Sequence, residues 1–149
     1  MTEPSASSSV HRIRLQGPWE WAVPHLVSTQ AWTWNRIRLP DEWDHMPVMA
    51  GAVWFRRRFN TPTGIASTDR IRVAITTTHR PSAVILNGQA LSSLLLGASD
   101  EPPVVRYEIT AAIAERNLLE IVFASGITPP DLDGGMGRPV VLEIESLPT

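Results

Sequence analysis

Two tryptophans and an arginine, Trp32, Trp34 and Arg36, recur at every second position of an alternating stretch. On a strand, this spacing places all three side chains on one face. A flat indole ring can pack against the apolar C–H face of a sugar, and an arginine beside it can bind the hydroxyls. The three residues are therefore candidates for a sugar-binding face. The alternative, favoured by the usual burial of tryptophan, is that the pair packs between two sheets or under the N-terminal segment.

A second group of candidates lies in two loops. Asp131 and Asp133 belong to the longest loop, which is rich in Gly, Pro and Asp, and His79 and Arg80 precede a predicted hairpin. Two carboxylates about 5–10 Å apart can hydrolyse a glycosidic bond, but a loop of this composition does not hold them rigidly. For the two aspartates we therefore expect a turn or a Ca²⁺ site, because Ca²⁺ takes carboxylate oxygens. His79 and Arg80 are candidates because sandwiches bind through their loops, although a solvated loop tip is the simpler interpretation.

No other residues suggest a catalytic site. The four histidines lack the spacing of a metal site, no ordering of Ser, His and Asp suggests a triad, and no glycine-rich phosphate loop is present. The absence of cysteine excludes disulfides, thiol catalysis and thiolate-bound zinc. The residues themselves therefore predict no cofactor, unless Asp131 and Asp133 hold a structural Ca²⁺ and do not simply form a turn.

Length and charge limit the classes of partner. The 149 residues are enough for one domain, and the net charge is -2. This balance argues against nucleic acid and anionic membranes, whereas a glycan or a protein partner is compatible with it. No segment has the ~20 apolar residues of a membrane span. Residues 1–9 contain four Ser and a Pro, so we predict a disordered tail over 1–9 and a single domain over 10–147. The tail lacks the features of a signal peptide, so we predict a cytoplasmic location.

The element that organises the chain is a strand over residues 51–60. Phe55 and Phe59 fall on one face, and Trp54 falls on the other with two arginines, whose guanidinium groups can stack on it. The tryptophans at 19, 43 and 54 are expected to pack in the core or at its corners. This strand predicts a sheet with one face on an apolar core.

Eight or nine short segments alternate in this way, with turn signals between them. Asn87-Gly88 is a strong signal for a two-residue hairpin turn, because both residues accept positive φ. Thr110 can cap a single helical turn that reaches Glu115. The pattern predicts an all-β fold: an antiparallel β-sandwich, a jelly roll, with one short helical turn.

Seven blocks of the sequence follow one another in a familiar order. They read Leu15-Gln-Gly-Pro-Trp19, Arg38-Leu-Pro-Asp-Glu-Trp43, Gly51-Ala-Val-Trp-Phe-Arg-Arg-Arg-Phe59, Ala83-Val-Ile-Leu-Asn-Gly-Gln89, Tyr107-Glu-Ile-Thr110, Asn117-Leu-Leu-Glu-Ile121 and Gly135-Met-Gly-Arg-Pro-Val-Val-Leu142. Together they resemble the N-terminal sugar-binding domain of glycoside hydrolase family 2, which includes β-galactosidases, β-glucuronidases and β-mannosidases. The resemblance covers residues 13–145 and implies a galactose-binding-domain-like jelly roll.

The resemblance implies that the chain is a non-catalytic module. In the family, the catalytic carboxylates lie on a separate barrel. The chain departs from the family after the hairpin, where Leu94-Leu-Leu-Gly97 replaces a glycine-rich, often His-containing stretch near the active site. We therefore expect a non-catalytic, carbohydrate-binding-like β-sandwich. The alternative is a structural or protein-interaction module, a relic or fragment of a family 2 glycosidase, that binds no sugar of its own.

Overall fold

The computed structural model describes residues 9–23, 32–47, 51–78, 80–94, 103–124 and 135–146. Within these ranges the chain forms eleven strands and one short 3-10 helix. The strands are β1 Ser9–Arg14, β2 Gly17–Ala22, β3 Asn35–Leu39, β4 Val53–Asn60, β5 Arg70–Thr76, β6 Ala83–Leu86, β7 Gln89–Ala90, β8 Ser93–Leu94, β9 Val104–Glu108, β10 Arg116–Phe123 and β11 Val140–Ser146.

The strands form two antiparallel sheets that enclose one apolar core. The first sheet has five strands in the order β1-β11-β5-β9-β8, and the second has six in the order β3-β2-β4-β10-β6-β7. Buried apolar residues from both sheets belong to a single cluster. Because side chains alternate along each strand, each sheet gives one face to this cluster and turns the other face outward. The predicted all-β, antiparallel sandwich is therefore confirmed.

The central strand β4 lies inside the six-stranded sheet, between β2 and β10. Phe55 is 0% exposed, and its ring centroid lies 6.1 Å from that of Trp43 and 6.0 Å from that of Phe123. Val53 is equally buried, so Trp54 between them must lie on the outer face of the sheet. The tryptophans at 19 and 43 are core residues as predicted. Trp54 is not a core residue, because it is next to the buried Phe55 on β4 and adjacent side chains of a strand point to opposite faces.

The predicted helical turn is present but at a different place. The 3-10 helix is Trp43–His45. Residues 110–113 form a hydrogen-bonded turn, in which the backbone N–H groups of Ala112 and Ile113 both donate to the carbonyl of Ile109. The Thr110 hydroxyl accepts a hydrogen bond from the backbone N–H of Ile71 at 2.9 Å. It therefore joins β5 to this turn and does not cap a helix.

The predicted hairpin turn is formed by Asn87 and Gly88, whose φ angles are 52° and 81°. The Asn87 side chain accepts from the backbone N–H of Leu118 at 2.8 Å and donates to Asn117 Oδ1 at 3.0 Å. Asn117 is only 3% exposed. Its amide nitrogen in turn lies 3.3 Å from the carbonyl oxygen of Phe59. One buried amide thus ties the hairpin to the neighbouring ends of β4 and β10.

The outer face of the five-stranded sheet carries paired charges. Glu143 on β11 points outward, since Leu142 and Ile144 face the core, yet it is only 5% exposed. Its carboxylate lies 2.8 Å from Nε of Arg106 and 3.4 Å from Nε of Arg12. Arginines from β9 and β1 therefore cover and neutralise this carboxylate.

Candidate ligand site on the outer face of the six-stranded sheet

Three indole rings lie together on the outer face of the six-stranded sheet. Trp32 and Trp34 precede β3, and Trp54 lies on β4. The ring centroid of Trp32 is 5.9 Å from that of Trp34 and 5.1 Å from that of Trp54, which it meets edge to face. All three side chains are partly exposed. These residues are called the indole cluster below, and they give the outer face an apolar, aromatic patch.

An arginine is fixed directly on this cluster. The guanidinium carbon of Arg56 lies 3.7 Å from the ring centroid of Trp34, within the range of a cation–π contact. Its Nε donates to Oε1 of Glu20 at 2.9 Å. The sheet order explains both contacts, because Glu20 on β2 is paired with Arg56 on one side and with Arg36 on the other. A guanidinium stack on tryptophan was predicted, but for Trp54. The partner is Trp34 because β3 and β4 flank β2.

A cavity adjoins the cluster where two strands separate. Pairing between β2 and β4 ends at Glu20 and Arg56, although both strands continue with their other neighbours. Pro18 lies just beyond this point and has no N–H to offer to a neighbouring strand. The resulting cavity has a volume of about 440 Å³, and it is lined by Pro18, Glu20, Arg36, Arg56, Arg57 and Arg58.

Arg57, one of the residues that line this cavity, is held by backbone oxygens. Its guanidinium donates twice to the backbone carbonyl of Gln16, from Nη2 at 2.7 Å and from Nε at 3.2 Å. Burial lowers the pKa of Arg57 from its ordinary value. Arginine nevertheless stays protonated in proteins, so Arg57 keeps its positive charge, and its described hydrogen bonds go to the neutral backbone oxygens of Gln16 and Arg58.

The structure places the predicted candidates in different parts of the molecule. Trp32 and Trp34 lie together on the outer face of the sheet and not between the two sheets, and Arg36 follows on the same face of β3. The other part of the alternative, packing under the N-terminal segment, concerns residues 1–8, which lie outside the described residues. Arg80 donates to Ser93 Oγ and lies beside Tyr107, and no described contact joins it to the indole cluster. His79, Asp131 and Asp133 lie outside the described residues, so the Ca²⁺ prediction stays a prediction.

Sequence reasoning missed Glu20, Arg56 and Arg58 as members of the site. Their outward direction could be read from alternation, but the contact of Arg56 with Trp34 and the cavity that the three residues share depend on sheet order. Among the described residues, no group of three or more His, Asp or Glu is placed to hold a metal ion. Likewise, none of the helices in the described ranges is long and apolar enough to span a membrane.

The fold is similar to that of several solved β-glucuronidases. The enzyme of Faecalibacterium prausnitzii matches with a TM-score of 0.67 and 17% identity, over 99% of this chain and 33% of its own. That of Bifidobacterium dentium, complexed with coumarin-3-O-glucuronide, matches with a TM-score of 0.67 and 17% identity, over 99% and 32%. A β-glucuronidase from glycoside hydrolase family 2 matches with a TM-score of 0.64 and 16% identity, over 95% and 18%.

No protein-family model and no curated protein matches the chain. The likeness to solved structures is therefore one of fold, and the chain spans a third or less of the length of these enzymes. It agrees with the resemblance found in the sequence blocks. The chain has the fold of one part of family 2 β-glucuronidases, consistent with their N-terminal domain.

Proposed function

We propose that the chain is a non-catalytic carbohydrate-binding module whose sugar-binding face is the indole cluster with Arg56 and Glu20. The observation that carries this proposal is the Arg56 guanidinium, fixed 3.7 Å from the centre of the Trp34 ring and hydrogen-bonded to Glu20. It sets charged hydrogen-bonding groups beside partly exposed aromatic surface. Such a combination suits a sugar, whose ring has apolar C–H faces and whose edge carries hydroxyls.

Each part of the site has a chemical task. A pyranose ring lies against the partly exposed indoles and removes apolar surface from water. The hydroxyls at the ring edge donate to Glu20 and accept from Arg36, which lies opposite Glu20 on β3. The stack on Trp34 and the bond to Glu20 hold Arg56 in one geometry, so less side-chain entropy is lost on binding.

The comparisons support a sugar as the class of ligand. The β-glucuronidase of Bifidobacterium dentium was solved with coumarin-3-O-glucuronide. The non-catalytic role rests on one observation, that the chain matches only a third or less of the length of these enzymes.

The second candidate is a structural or protein-interaction module. The mutual packing of the three indoles favours it, because apolar aromatic surface in one place also suits a protein interface. The Glu20 carboxylate, fixed beside the rings by Arg56, favours the sugar, because protein interfaces are depleted of glutamate although they are rich in tryptophan and arginine.

The test is a titration of intrinsic tryptophan fluorescence with β-glucuronides, β-galactosides and β-mannosides. The proposal predicts a saturable change that Trp34→Ala abolishes and that Trp34→Phe, which keeps an aromatic ring, only weakens. Arg14→Gln on the opposite sheet is the control and should bind like the wild type. If no sugar changes the fluorescence of protein that still unfolds cooperatively, the carbohydrate-binding function is wrong and the protein-interaction candidate takes its place.

A further inference from the structure

The cavity beside the indole cluster carries an excess of positive charge. Four arginines and one glutamate line it, which is a local charge of +3 in a chain whose net charge is -2. The single carboxylate, Glu20, is already bound by Arg56 at 2.9 Å. The remaining arginines, Arg36, Arg57 and Arg58, have no carboxylate partner among the described residues.

The opposite face of the sandwich carries arginines that are paired with carboxylates. There, Arg106 and Arg12 both face Glu143, and Arg72 lies 3.2 Å from Glu145. These three arginines are therefore compensated by carboxylates of their own sheet. Like charges gathered in one cavity repel each other, and an anion supplied from outside would relieve that repulsion.

We propose that the ligand of this site is an anionic sugar, whose carboxylate or sulfate group enters the arginine-lined cavity while its ring packs on the indole cluster. The proposal rests on the carbohydrate-binding function proposed above. Arg56 connects the two halves, since it lines the cavity and also stacks on Trp34. A ligand that places a sugar ring and an anion side by side would fill both.

The chemistry of arginine fits this group of ligands. The planar guanidinium donates two parallel hydrogen bonds to a carboxylate or a sulfate, and charged hydrogen bonds are stronger than neutral ones. Arg36 and Arg58 are exposed and unpaired among the described residues, so they are free to turn toward the anion. Arg57 is held on the Gln16 carbonyl and contributes its charge from a fixed position.

The test is calorimetric titration with oligogalacturonate, its methyl ester and a sulfated galacto-oligosaccharide. The ester keeps the sugar backbone and removes the charge. We expect the free acid to bind at least ~10-fold more tightly than the ester, because one charged hydrogen bond contributes about this factor. Arg36→Gln and Arg58→Gln should each weaken binding of the acid about 10-fold, with little effect on the ester. Arg14→Gln, an exposed arginine on the other sheet, is the matched control. Whichever of acid and sulfated sugar binds more tightly identifies the anionic group.

The outcomes separate this inference from the function it rests on. If acid and ester bind equally, the module binds sugars but the anionic ligand is wrong. If the acid binds and Arg36→Gln and Arg58→Gln change nothing, the assigned cavity is wrong. If none of the three saccharides binds but a β-glycoside of the fluorescence titration does, the anionic ligand is wrong; if neither set binds, the carbohydrate-binding function itself fails. If the acid binds but Trp34→Ala leaves its affinity unchanged, the site is an anion site without a sugar platform, and both proposals are overturned.

Discussion

Replacing one buried amide, that of Asn117, should destabilise the sandwich more than most polar substitutions. Asn117 is 3% exposed and lies at the start of β10. Its Nδ2 has three oxygen neighbours, on Phe59, Thr61 and Ala114, at 3.3, 3.1 and 2.9 Å. Its Oδ1 accepts from the backbone N–H of Ala114 at 2.8 Å and from Asn87 at 3.0 Å.

The size of the effect follows from these hydrogen bonds. Nδ2 has two hydrogens, so Asn117 makes about four hydrogen bonds at a time, and each contributes about 1 kcal/mol net. Asn117→Ala removes all of them and leaves the groups around the site without partners. Water can reach exposed Asn87 but not the deeper carbonyl of Phe59. We therefore expect Asn117→Ala to lower the free energy of unfolding by ~3–5 kcal/mol.

Urea unfolding followed by tryptophan fluorescence measures this difference. Asn60→Ala is the control, since Asn60 is an exposed asparagine at the same end of the sheet and should change stability by less than ~0.5 kcal/mol. Asn117→Asp keeps the acceptor oxygen but would turn a carboxylate toward three oxygens. Its pKa should rise on folding, so this variant should lose stability as pH rises from about 4 to about 7. A loss with Asn117→Ala no larger than that of Asn60→Ala would refute the reasoning.

Two further predictions concern the core and the titration of the one tyrosine. Phe55→Ala should lower the free energy of unfolding in urea by ~3–5 kcal/mol, because Phe55 is fully buried between Trp43 and Phe123. Phe55→Leu should lower it clearly less, and equal losses for the two variants would contradict the packing. Burial raises the pKa of Tyr107 above 10.0, while Arg80 opposes the rise. Because the folded pKa is the higher one, stability should fall as pH rises above about 10, and ultraviolet absorbance should show that Arg80→Ala raises the pKa of Tyr107 further; a lower pKa in that variant would contradict it.

Alternation in single strands predicted the sheets and most of the core. Phe55 and Phe59 were assigned inward and are buried, and the Asn87-Gly88 turn was located from its two residues alone. These features depend on neighbours along the chain. Local patterns therefore predict a structural feature when it depends only on which face of one strand is buried or on the type of one turn.

The site itself depends on contacts between strands, which a single sequence does not reveal. The two outward arginines of β4 were expected to stack on Trp54 of the same strand, but Arg56 stacks on Trp34, which reaches it across β2. In the same way, outward-pointing Glu143 is buried because arginines from β1 and β9 cover it. The blocks that resemble family 2 predicted the fold, but they did not identify the indole cluster or its contact with Arg56.

The measurement that tests the proposed site most directly is a two-dimensional nitrogen–proton spectrum of the indole groups. The chain has six tryptophans, which single Trp→Phe variants can assign. On adding oligogalacturonate or its methyl ester, we predict that the indole signals of Trp32, Trp34 and Trp54 shift with saturation. The signal of Trp19, whose Nε1 is buried and bonded to the Leu15 carbonyl, should stay in place. If the three cluster signals move neither with these saccharides nor with β-glucuronides, β-galactosides and β-mannosides, the outer face is not a carbohydrate-binding site.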